Sequence, residues 1–147
     1  MHILDREAPG LAEKIGALSA EASKTVLVNA CLLVSEGLAV LEPSVRGLLD
    51  SLKKNGSLLP DEVAVARTLA EAADSNYLTL QRQSTREVQA ISAFSTARLL
   101  TAMSIGFSGT TTESVADAVY ELCNTYDDPS PLIRSVRSDI ERATRHL

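Results

Sequence analysis

Apolar residues recur at three- and four-residue intervals along most of the chain, and Ala and Leu dominate those positions. β-branched alternation with a period of two is absent. The pattern predicts an all-α fold, because helical periodicity and good helix formers agree. Pro9-Gly10, Glu42-Pro43, Asn55-Gly56 with Pro60, Gly106 to Gly109, and Asp127-Asp-Pro-Ser-Pro131 punctuate it. They divide the chain into about six or seven helices.

A first helix is expected near Pro9, with Leu11, Ile15, Leu18 and Ala22 on one face. It either continues or breaks near Ser23 into a second stretch, Thr25–Leu41. There Val26–Val34 is apolar on nearly every side, which suits the centre of a bundle. A buried strand competes for those nine residues, but the surrounding pattern is too long for one. Ser44–Lys54 reads as a short amphipathic helix burying Val45, Leu48, Leu49 and Leu52, stopped by Asn55-Gly56. Pro60-Asp-Glu opens the next, carrying Val63, Ala66, Ala70, Ala73, Tyr77 and Leu80. Ser84-Thr-Arg-Glu87 fits a capping box for a second central helix, Ser84–Ile105. Gly106–Thr112 reads as a loop, and Thr110-Thr-Thr-Glu113 as a second capping box. Ser130 is expected to cap the last helix, with Pro131 at its first position and a stripe of Ile133, Val136, Ile140, Ala143 and Leu147.

Length and charge narrow the picture further. The 147 residues fit one domain, 1–147, large enough to bury roughly 68–70% of its unfolded surface without a staple. Net charge is −5, which argues against nucleic acid, whose binding draws on a basic surface. Aromatics are 3% with no Trp, thin material for stacking bases. Histidine occurs only at His2 and His146, so no interior imidazole is available as base or metal ligand. Cys31 and Cys123, unpaired by any CxxC spacing, read as buried small hydrophobes. No metal, cofactor or catalytic set is expected. The N-terminus lacks the apolar core of a signal peptide. The longest uncharged stretches, Thr25–Ser35 and Leu99–Thr112, fall short of the roughly 18 residues of a bilayer span. A cytoplasmic protein with no membrane partner is the expectation.

Several residues still invite chemistry. Arg98 is the only charge between Glu87 and Glu113. A buried guanidinium needs a carboxylate, and Glu36 is the first candidate, with Asp117 and Glu121 as alternatives. A core ion pair explains Arg98, and so would a ligand-anchoring pocket of Arg98 and Glu36, the basis of an alternative small-ligand or enzymatic reading. Thr25, Asn29 and Glu36 fall within about 40° of one another on a helix, as a cavity wall or a solvent edge. Ile105–Thr112 has the glycines and serine of a nucleophile or phosphate loop but neither motif's spacing. Asp127 and Asp128 suit helix capping, or contact with a basic partner. The final helix carries Arg134, Arg137, Arg142 and Arg145 opposite its apolar stripe, a solvated face or, less favourably, a DNA-reading one. Thr125–Ser130 is longer than the turn of a helix-turn-helix.

Glu42-Pro-Ser-Val-Arg46 leads into Leu48-Leu-Asp-Ser-Leu52 and the Lys53-Lys-Asn-Gly56 stop. Ala-rich helices follow around Ala64–Ala73 and Ala90–Ala102, then Ala116-Asp-Ala-Val-Tyr120. In this order of features, over roughly residues 25–125, the chain resembles the small all-α bacterial immunity proteins of toxin–immunity systems. The resemblance is architectural and transfers no binding residue. It implies a non-catalytic protein that neutralises a toxin by occlusion. An acidic surface would steer a basic toxin domain into contact. Homodimerisation through an apolar helix face is compatible with the same pattern.

Overall fold

The computed structural model describes residues 2–38, 41–82, 87–109 and 111–145. Among them are seven α-helices, one short 3-10 turn at Ile3–Arg6 and no strand, as the all-α pattern requires. The helices are α1 (Leu11–Gly16), α2 (Ala20–Glu36), α3 (Pro43–Asn55), α4 (Pro60–Gln81), α5 (Glu87–Ser108), α6 (Thr112–Cys123) and α7 (Ser130–Arg145). The boxes proposed at Ser84 and Thr110 rest on residues outside the described set, as does Leu147.

The break between α1 and α2 falls at Ser19, not Ser23. Ser19 is extended (φ −64°, ψ 158°) and its Oγ accepts the Ala22 N–H at 3.1 Å, supplying one of the acceptors that a helix start lacks. Ser23 is buried inside α2, where its hydroxyl donates to the Ala20 carbonyl at 2.8 Å. The first central helix is therefore Ala20–Glu36 and stops short of Leu41. Helix α3 has the predicted buried face and ends at Gly56, whose φ of 69° is the left-handed conformation open to glycine. Ser51 on α3 donates to Glu62, which also accepts the Leu59 N–H at 3.0 Å and so fixes the start of α4.

Helices α4 and α5, 22 residues each, form a long antiparallel hairpin. Helix α5 also packs on α6 and α2, and α7 lies along α2. Leu27, Leu99, Leu100, Met103 and Leu122 are fully buried where these helices meet. Helix α5 runs through Gly106 and Phe107 to Ser108, three residues past the expected helix end at Ile105. A Cβ at Gly106 would collide with Leu27 Cδ2 and lie 3.1 Å from Ala118 Cβ. The glycine lets three helices approach rather than marking a turn.

Gln89–Ser108 is long and apolar enough to cross a membrane by composition, with mean hydropathy 1.3 despite Arg98. Since 61% of it is buried in the fold, protein packing accounts for its composition. Cys31 and Cys123 are free and buried. Burial pushes both thiols up to about 12, with the Glu7 charge adding to the effect at Cys123.

Candidate functional site

The predicted Arg98–Glu36 pair does not form. Arg98 Nη1 donates to Glu121 at 2.8 Å, and Nη2 donates to both oxygens of Asp74 at 2.9 and 3.2 Å. The guanidinium carbon stands 5.6 Å from the Phe94 ring centroid, and Phe94 packs on Tyr77 with centroids 5.2 Å apart. Nε is buried without a hydrogen-bond partner. The Glu121 alternative is therefore met, and Asp74 adds a second carboxylate. Asp74 was concealed by its place on a helix with charges on several sides. This cluster ties α4 to α6 across α5.

Asp117, the other alternative for Arg98, instead meets His2 Nε2 at 2.5 Å. His2 Nδ1 accepts the Leu4 N–H at 3.0 Å, so Nε2 carries the proton toward Asp117. The terminal histidine thus holds the first turn against α6.

Thr25, Asn29 and Glu36 are exposed and share one face of α2, as their spacing predicts. That face is one wall of an open groove of about 850 Å³ between α2 and α7. Ser135, Asp139 and Arg142 stand on the opposite wall. The edge and cavity readings of this strip are both satisfied, because the groove is open to solvent.

Three carboxylates border the groove, those of Glu21, Glu36 and Asp139, against one guanidinium, Arg142. Asp139 is only 7% exposed, and its ion-pair partner among the described residues is Arg142, whose side chain is 66% exposed. Asp139 was missed because the α7 stripe places Ile133 and Ala143 inward. The structure buries Leu132, Val136, Asp139 and Ile140, and leaves Ile133 and Ala143 at the margin. Glu36 is the last residue of α2, whose last turn has no basic residue. A carboxylate there sits on the negative end of the helix dipole, which disfavours it. Its charge also reaches Tyr126, whose phenol is raised first by burial and then by Glu36.

The remaining candidates lie elsewhere. Asp128 accepts the Ser130 N–H at 3.0 Å and is held below the usual carboxylate range first by its hydrogen bonds to Ser130. It serves the start of α7, and Ser130 lies inside that helix instead of capping it. Asp127 and Arg134 are exposed. Arg137 donates to the Pro9 carbonyl at 3.3 Å, fastening α7 to the N-terminal segment. Arg142 and Arg145 face Asp139 and Glu141 on their own helix. The α7 arginines are thus largely engaged within the fold. Among the described residues, no three His, Cys, Asp or Glu side chains cluster as a metal site would require. No family model, curated protein or solved structure matches this chain.

Proposed function

We propose that this chain is a non-catalytic protein-binding module whose α2/α7 groove receives a basic segment of a partner. The supporting observation is Glu36: it stands at a helix end where its charge is unfavourable, beside a groove with three carboxylates and one cation. A partner lysine or arginine would relieve that charge. A second cation could share the buried Asp139 carboxylate with the exposed Arg142. The net charge of −5 would steer such a partner at long range and speed association. Helical walls lose little freedom on docking.

In its most concrete form this is an immunity protein that occludes a basic toxin domain. The architectural resemblance supports that version, and the groove supplies the contact chemistry. The small-ligand reading relied on Arg98 and Glu36 sharing a pocket; their separation removes that basis.

The test is titration with a basic amphipathic helical peptide rich in Lys and Leu, followed by NMR shifts and calorimetry. Shifts should map to α2 and α7, weaken with salt, and be lost in Glu36→Lys. No binding, or binding indifferent to Glu36→Lys, overturns the groove. Co-expression with a toxin domain encoded next to this chain tests the finer reading: growth rescue and copurification support it, and failure of both removes it.

A further inference from the structure

Asp139 shares the inward face of α7 with Leu132, Val136 and Ile140, yet it also lines the α2/α7 groove. Its side chain is 6% exposed. Arg142, one turn further along the same helix, donates from Nη2 to Asp139 Oδ1. Among the described residues, no second hydrogen bond reaches this carboxylate. Nor is Oδ2 sealed away from water: the buried side-chain polar atom left unpaired among those residues is Arg98 Nε. Oδ2 therefore keeps its access to the groove. The groove floor presents one free carboxylate oxygen, with the other already held.

We infer that the groove selects lysine over arginine in the basic partner segment, because Arg142 occupies one oxygen of Asp139 and leaves the other open. This selectivity rests on the groove being the docking site proposed above. A guanidinium outcompetes an ammonium where it grips both oxygens of a carboxylate with its planar fork. At Asp139 that grip is pre-empted. An incoming arginine would make a single contact and carry the rest of its five donors into a partly shielded cleft, where unpaired donors are costly. An ammonium has three donors spread around one point. One meets Oδ2. For the others, the groove is lined by two uncharged side chains with acceptor oxygens: Ser135, one turn before Asp139 on α7, and Asn29 on the facing wall of α2. Half-buried Leu32, Leu33 and Ala143 line the same groove and suit the apolar stem of a lysine. Arg142 repels a second cation, and the exposed carboxylates of Glu21 and Glu36 on α2 offset that repulsion.

Calorimetric titration of the full chain with three forms of one peptide tests this. The first is the amphipathic Lys/Leu helix, the second has every lysine replaced by arginine, and the third has every lysine trimethylated. In the wild type the lysine form should bind roughly tenfold tighter than either of the others. Trimethyllysine keeps the charge but has no N–H, so a groove that reads charge alone would accept it equally. Arg142→Met frees Oδ1, and the arginine form should then bind at least as tightly as the lysine form. Circular dichroism confirms that this variant, changed at an exposed position, is folded. Arginine bound as tightly as lysine by the wild type overturns the selectivity. So does a trimethylated peptide bound as tightly as the unmodified one, or a lysine preference that survives Arg142→Met. Each of these outcomes leaves the groove standing as a docking site. Failure of all three peptides to bind the wild type removes the groove itself, and the selectivity with it.

Discussion

Arg98 Nη1 and Glu121 meet at 2.8 Å across 23 residues of chain, and the same guanidinium grips Asp74 with its other amino group. One side chain on α5 thus joins α4 and α6. Truncating it leaves two carboxylates facing each other without their cation. Because the Arg98 side chain is 20% exposed, the loss should fall below that of a fully buried pair. Arg98→Ala is expected to cost about 2–4 kcal/mol by urea unfolding. Arg98→Met, which keeps contact with Phe94, should recover part of it, and Glu121→Gln should cost less than Arg98→Ala.

Gly106 carries a different kind of constraint. Its missing Cβ is the space occupied by Leu27 Cδ2. Gly106→Ala would ordinarily favour a helix, but here the methyl group must displace a fully buried leucine. A net loss of about 1–3 kcal/mol is expected. Adding Leu27→Ala supplies room, so the double variant should be more stable than the sum of the single losses predicts. Thermal unfolding of all three variants checks the sign of that coupling.

The fold was legible where each helix has its own apolar stripe. Val45, Leu48, Leu49 and Leu52 are buried on α3 as their spacing dictates. Boundaries were less legible because the same residue type carries opposite local meanings. Ser19 and Ser23 are both acceptable caps in sequence, and only the free N–H of Ala22 distinguishes them. Gly106 reads as a breaker until its neighbours are known. Partners of charges were hardest to read, since a lone arginine states a need without saying which carboxylate lies near. The groove was half visible: periodicity aligns Thr25, Asn29 and Glu36, but nothing local reveals that Asp139 faces them from α7.

Burial of Cys31 makes stability depend on alkaline pH. Its thiol is raised from 9.0 to about 12 by desolvation in the folded chain, so above about pH 9 the unfolded chain loses a proton that the folded chain keeps. The stabilisation is complete below the unfolded pKa and is lost as pH rises toward the folded one. Each pH unit in that window should cost about 1.4 kcal/mol from this thiol. Cys31→Ala should flatten the decline between pH 9 and about 11, as read by urea midpoints, though its stability near neutrality will be lower because a cavity remains. An equal slope in wild type and Cys31→Ala would show that the thiol does not ionise on unfolding.

Glu36 sets binding against stability. At the C-terminal residue of α2 its carboxylate opposes the helix dipole, while a cation at that position would be welcomed by the unpaired carbonyls. Glu36→Lys should therefore stabilise the free protein by roughly 0.3–1 kcal/mol at low salt, and the gain should shrink as salt screens it. The same change should abolish capture of the basic peptide by the α2/α7 groove. Glu36→Gln should lie between the two in both measurements. Thermal unfolding at low and high salt, paired with calorimetric titration, reads the two effects separately. A variant that loses stability as well as binding would show that Glu36 supports the fold, and the groove would lose its main functional argument.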